Sequence, residues 1–150
     1  MAGGSADLLD TARDLRIAVG RIGRRLRELY ATMPTAGELG FTEVSLLSRL
    51  RREGPTSPGA LADVEHITPQ AVGSVLGAMH RAGLIDRTPD PTDGRKVIVT
   101  LTEAGRRAFD HRSEEVSEHL ARVLSEALEA GERTQLAAVV PLLERLADRL

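Results

Sequence analysis

Residues 67–105 read ITPQAVGSVLGAMHRAGLIDRTPDPTDGRKVIVTLTEAG, and this stretch decides the fold. Thr68-Pro69 is a helix start: a threonine hydroxyl accepts from an orphan N–H, and proline fits the first helical position. Val72, Val75, Leu76 and Met79 then recur at helical spacing, and Gly83 stands where a helix-ending glycine is expected. Two β-rich runs follow, Leu84 to Thr88 and Val97 to Leu101, joined by the turn-forming loop Pro89-Asp90-Pro91-Thr92-Asp93-Gly94-Arg95-Lys96. A short helix beside a hairpin with a cationic tip is the pattern of a winged helix, and it points toward nucleic acid.

Working outward, Ser57-Pro58 repeats the cap-plus-proline signature and opens a short helix through about Val64, with His66-Ile67 as the turn into the Thr68 helix. Two short helices on a tight turn make a helix-turn-helix whose second helix is the reader. Before it, Thr42 is expected to cap a helix running to about Glu53 with Val44, Leu47 and Leu50 on one face, and Gly54-Pro55 to end it. Met33 to Gly40 reads as a loop. Residues 8–30 carry Leu8, Ala12, Leu15, Val19, Ile22, Leu26 and Leu29 at alternating steps of four and three, a heptad seam. After the hairpin, Thr102-Glu103 opens a long helix striped by Phe109, Val116, Leu120, Val123 and Ala127. Gly131 is expected to close it. A last helix, about 132–150, holds Pro141, which should kink it. The fold class is therefore mainly α: a winged helix-turn-helix lobe at about 42–101 with a two-stranded β wing, and long terminal helices at about 8–31 and 103–150. The apolar stripes of those helices exceed what one small lobe can cover, so a symmetric homodimer is expected.

Composition narrows the function classes. The 150 residues suit one domain with a core, aromatic residues are 2% and Cys is absent. The core must be aliphatic, and disulfides, thiolate metal sites and thiol switches are excluded. Stacking on single-stranded nucleic acid has only Tyr30, Phe41 and Phe109 to draw on. No apolar run reaches the roughly 20 residues of a membrane span, and the first residues lack the pattern of a signal peptide. A cytoplasmic protein without membrane contact is expected. The net charge is −2, and over 42–101 seven cations balance seven anions. Any DNA binding must come from local clustering, with a modest salt slope. Lys96 is the one lysine among 20 basic residues, which a GC-rich genome explains.

The chain resembles the MarR family of bacterial transcription regulators over nearly its whole length. The pieces that carry the resemblance are Gly83-Leu84-Ile85-Asp86-Arg87, then Asp90-Pro91-Thr92-Asp93-Gly94-Arg95-Lys96, then Leu101-Thr102-Glu103-Ala104-Gly105. They match an Asp-x-Arg wing leading into a Leu-Thr-x-x-Gly helix start. The resemblance implies an obligate homodimer paired through its first and last two helices and bound to a near-palindromic double-stranded operator. It further implies repression relieved by a small, often phenolic or anionic, ligand held among the first, second and fifth helices. Residues such as Arg16, Tyr30 or Phe109 on those helices are candidates that the resemblance itself does not select. One departure stands out. The family often has Thr-Arg in the middle of the reading helix, and here Gly73-Ser74 occupy those positions, with Gly77 beyond. Two readings of the glycines stay open: close backbone approach to DNA or a neighbouring helix, or a weak helix tolerated by a well-packed lobe.

The resemblance places Arg95 in the minor groove, where an arginine senses width and potential. Asp93 is positioned to pair with it, and Lys96 either binds phosphate or points away. On the reading helix Gln70 suits adenine, Ser74 several bases, and the Ala71 methyl thymine. Thr68 is first a cap, Pro69 leaves the next N–H groups free for a phosphate, and Ser57 can act likewise. Arg49, Arg51 and Arg52 are either phosphate clamps or a solvated face. His111 and His119, eight residues apart, are too far for one ion unaided, so no metal or cofactor is expected. No nucleophile–base pair or phosphate-cradling glycine loop argues for an enzyme. The competing expectation is a winged-helix protein-interaction module that reads no sequence.

Overall fold

The structure, a computed structural model, describes residues 3–33 and 39–150. Most of the loop expected at 33–40 lies outside these. The described residues form helices α1 (Gly3–Thr32), α2 (Phe41–Glu53), α3 (Pro58–Glu65) and α4 (Pro69–Arg81), strands β1 (Ile85–Pro89) and β2 (Val97–Leu101), and helices α5 (Glu103–Ala127) and α6 (Ala130–Ala147). The chain divides into two compact units, Met1–Ser113 and Glu114–Leu150.

The first unit holds an aliphatic core in which Leu46, Leu47, Leu61, Val72, Leu76, Met79, Ile85 and Val99 have almost no exposure. These come from α2, α3, α4 and both strands, so one cluster fixes the helix-turn-helix against the base of the hairpin. The strands pair antiparallel from Ile85↔Leu101 to Pro89↔Val97. Thr56, ahead of α3, exchanges two backbone hydrogen bonds with Val99, 3.1 and 2.8 Å, on the other edge of β2. The wing is thereby stitched to the entry of the helix-turn-helix.

Local chemistry accounts for most boundaries. Ser57 and Thr68 cap α3 and α4 as expected, each hydroxyl accepting an amide at 3.2 Å, from Ala60 and Ala71. α4 ends in a Schellman pair: Leu84 N–H to Met79 C=O at 3.0 Å and Gly83 N–H to His80 C=O at 2.9 Å, with Gly83 at φ 73°. α3 ends in the same geometry with His66 at φ 51°, where a glycine would be easier.

Two expected boundaries are corrected. Thr42 does not cap α2. The helix starts at Phe41 with Gly40 before it, and Phe41 sets its ring edge-on to Tyr30, centroids 5.7 Å apart. Gly131 does not close α5, which ends at Ala127; Gly131 lies in the first turn of α6. A capping box decides this, because Glu129 and Glu132 reciprocally satisfy each other's orphan amides. Pro141 sits inside α6, which continues through it to Ala147.

The start of α5 explains the Leu-Thr-x-x-Gly signature. Thr102 donates its N–H to the Leu84 carbonyl at 3.1 Å and its hydroxyl to the Gly83 carbonyl at 2.7 Å. That hydroxyl also accepts the Gly105 N–H at 3.0 Å. The Leu84 carbonyl is thereby pressed against Gly105, where a Cβ would stand 2.0 Å from its oxygen.

In the second unit, Leu120, Val123 and Leu124 of α5 and Leu136, Val139, Val140, Leu142 and Leu146 of α6 are exposed. On α1, the seam residues Leu8, Val19 and Ile22 are exposed as well.

Candidate nucleic-acid interface

The N-terminal face of α4 carries the predicted reading residues together. Thr68, Pro69, Gln70, Ala71 and Ser74 are all exposed: Thr68 and Pro69 at the open start of the helix, Gln70 and Ser74 on the side away from the buried Val72, Leu76 and Met79, and Ala71 at its flank. Thr68 is committed to the cap. Because Pro69 has no N–H and the Ala71 amide goes to Thr68, Gln70 keeps the free backbone donor of this turn. Ser57 sits half-buried at the start of α3, occupied by its own cap.

The wing tip is built by Asp90. Its carboxylate accepts the Thr92 amide at 2.7 Å, the Thr92 hydroxyl at 2.6 Å and the Asp93 amide at 3.3 Å. These bonds favour the ionised form and hold the Asp90 carboxyl below the usual aspartate range. The contribution is therefore present above the ordinary aspartate pKa and is lost only as pH falls through the lowered value. Asp90 N–H to Lys96 C=O, 2.9 Å, and Lys96 N–H to Asp93 C=O, 2.8 Å, close the loop.

Asp93 then aims the cations. One of its oxygens accepts both the Arg95 amide and Nε at 3.3 Å, and the other lies 3.8 Å from the Lys96 Nζ. The Arg95 side chain remains 93% exposed, so its guanidinium projects from a tethered base. Such an exposed pair adds little to stability; it orients.

The arginines of α2 are arranged differently. Arg49 fits neither the phosphate-clamp nor the solvated-face reading. Its side chain is 18% exposed, it donates to Glu53 at 2.7 and 2.9 Å, and its Nε, 3.7 Å from Glu65, has no hydrogen-bond acceptor among the described residues. Arg51 pairs with Asp110 and lies over the Phe109 ring. Arg52 is exposed. The reading of the sequence passed over Arg81 and Arg87, exposed cations at the end of α4 and on β1. Their signal was their closeness to the reading helix and wing.

A cavity of about 320 Å³ also lies within the first unit, lined by Tyr30, Phe41, Ser48, Arg49, Glu65 and Phe109 among others. Tyr30 and Phe109 were named from the sequence; Arg16 does not line it. Glu65 accepts the Ser45 hydroxyl through both oxygens, at 2.9 and 2.8 Å, and is the last residue of α3. Burial raises the Tyr30 phenol above its ordinary pKa, partly offset by the nearby Arg112 charge. Among the described residues no cluster of histidine and acidic side chains could hold a metal ion.

A two-helix reader stitched to an arginine-tipped hairpin defines a winged-helix DNA-binding protein. Residues 41–97 match the MarR family, the segment from α2 to the start of β2. An uncharacterised helix-turn-helix-type transcriptional regulator of Mycobacterium bovis is 34% identical over 137 residues, covering 91% of this chain and 92% of its own. The transcriptional repressor NicR of Pseudomonas putida is 29% identical, covering 96% and 91%. Among solved structures, a transcriptional regulator protein from Pseudomonas aeruginosa superposes with a TM-score of 0.77 at 30% identity, covering 95% of this chain and 96% of its own. Apo MarR from E. coli shares the fold, with a TM-score of 0.73 at 22% identity over 88% and 94% of the two chains. The chain belongs to the MarR family and is a DNA-binding transcriptional regulator. No helix among the described residues is long and apolar enough to cross a membrane.

Proposed function

We propose that the protein acts as a homodimeric repressor that binds a near-palindromic double-stranded operator and is released by a small molecule. The observation that carries this reading is the joining of a capped, exposed α4 to a wing whose Arg95 is tethered by Asp93 yet open to solvent. Gln70, Ala71 and Ser74 would meet base edges in the major groove. Arg95 would enter the minor groove, and Ser57, Thr68, Pro69 and Lys96 would face phosphates. Arg81 and Arg87 join this phosphate set. Two such units are needed to span two half-sites. The uncovered apolar residues of α1, α5 and α6 support pairing, because a two-fold contact buries matching stripes on both chains.

The cavity supports effector control. Its aromatic walls and the unsatisfied Arg49 Nε suit a small aromatic anion or phenol. Glu65 connects it to the helix-turn-helix: a ligand that takes over Arg49 removes the counter-charge holding the end of α3, one residue before the His66 turn. The protein would carry out no chemistry of its own and would act in the cytoplasm, where its DNA is.

Mobility-shift titration with promoter fragments tests the interface. Arg95→Ala should weaken operator binding several-fold, about 1 kcal/mol for one minor-groove contact, without changing the melting temperature. Unchanged affinity removes the wing from the interface.

A further inference from the structure

Some of the described glycines have an evident local reason and others have none. Gly54 and Gly83 are required by backbone angles of φ 83° and 73°, and Gly105 by the Leu84 carbonyl. Gly73 and Gly77 have no such reason. Neither has a positive φ. A Cβ at Gly73 meets nothing within 4 Å, and one at Gly77 meets only the far end of Arg81 at 3.5 Å. Among the described residues no neighbouring helix approaches either glycine, which removes that half of the close-approach reading and leaves DNA or a tolerated weak helix. Each glycine still weakens α4 relative to alanine.

Their position gives the reason. Gln70, Ser74 and Arg81 are exposed along one side of α4, with half-buried Gly77 in the same row, half-buried Gly73 at its flank and Val72, Leu76 and Met79 opposite. Among the described residues, the other helical glycines with free space around them are Gly59 and Gly131, in first turns, and Gly20 and Gly23, on α1 with its uncovered seam. Inside helices, open glycines thus lie on elements that the proposed assembly covers. The same side of α4 carries no lysine and no arginine before Arg81 in its last turn. Bidentate recognition of guanine uses such a cation, whereas glutamine pairs with adenine and small apolar groups meet the thymine methyl.

We propose that α4 reads A·T base pairs by close approach of its own backbone, the space left by Gly73 and Gly77 being filled by the major-groove floor, and that it makes no guanine contact. This rests on α4 being the groove-reading helix. It differs from reading by a long central cation, because depth of insertion takes the place of reach.

The test selects duplexes from a random pool with the full-length protein, then measures affinity and melting temperature for Gly73→Ala and Gly77→Ala. The expected half-site has A·T pairs at and beside the position whose preference Gln70→Ala relaxes. Both alanine variants should melt at or above the wild-type temperature yet bind the selected duplex about tenfold or more weakly, a loss of one unit in log affinity. Opposite signs for stability and binding are what a merely tolerated weak helix does not produce. Guanine fixed beside the Gln70 position, or alanine variants that bind like wild type, overturns the inference and leaves operator binding intact. Selection of no sequence at all overturns both.

Discussion

Gly105→Ala should unfold more easily than an alanine substitution at any other glycine whose surroundings the structure describes. The added methyl would stand 2.0 Å from the Leu84 carbonyl oxygen, a backbone atom that accepts the Thr102 amide and cannot swing aside. Relief requires the first turn of α5 to move off the end of α4, which costs the two Thr102 bonds to Leu84 and Gly83. Overpacking against backbone with lost bonds amounts to about 3 kcal/mol, or a fall of about 10 °C in melting temperature for a chain of this size. Gly94→Ala is the control: nothing lies within 4 Å of its Cβ, and it should melt like wild type. Equal melting temperatures for the two variants would refute the close contact.

Arg112→Met should come next in magnitude. Arg112 is 3% exposed although charged. Its Nε donates to the Leu39 carbonyl at 3.1 Å and its Nη2 to the Tyr30 carbonyl at 2.9 Å, while the guanidinium lies over the Tyr30 ring, 5.3 Å from the centroid. One side chain thus ties the last turn of α1 and the approach to α2 onto α5. Methionine fills much of the volume but leaves both carbonyls without this donor, a loss of about 3 kcal/mol. Lysine should recover only part, because an ammonium cannot reproduce the planar fork. A second readout is specific. Tyr30 is the chain's single tyrosine, so phenolate absorbance reports it alone. The Arg112 charge lowers its pKa, so the Met variant should ionise at higher pH than wild type. An unmoved titration would mean that the guanidinium does not sit on that ring.

The helix-turn-helix and wing were legible because their signals are local: Ser57-Pro58, Thr68-Pro69 and Gly83 act within a few residues, and the hairpin is two β-rich runs around a turn-forming loop. Thr42 and Gly131 misled because each met a competitor the pattern does not weigh, ring contact at Phe41 and a Glu129–Glu132 box. Arg112 was legible in principle. It occupies an apolar position of the stripe between Phe109 and Val116, and a charge there signals a buried partner. Gly105 was seen as a motif without its cause, because the Leu84 carbonyl comes from 21 residues away. The cavity was only half seen. Tyr30 and Phe109 are rare ring residues that draw notice, whereas Ser45, Arg49 and Glu65 meet only when α2 and α3 pack.

The central claim is that two chains present paired α4–wing units to one duplex. Native mass spectrometry of the protein on a duplex selected from genomic fragments tests it most directly. Two chains per duplex are expected, on a site whose half-sites repeat about 10 base pairs apart. One chain per duplex, or equal retention of a shuffled sequence, would contradict the account.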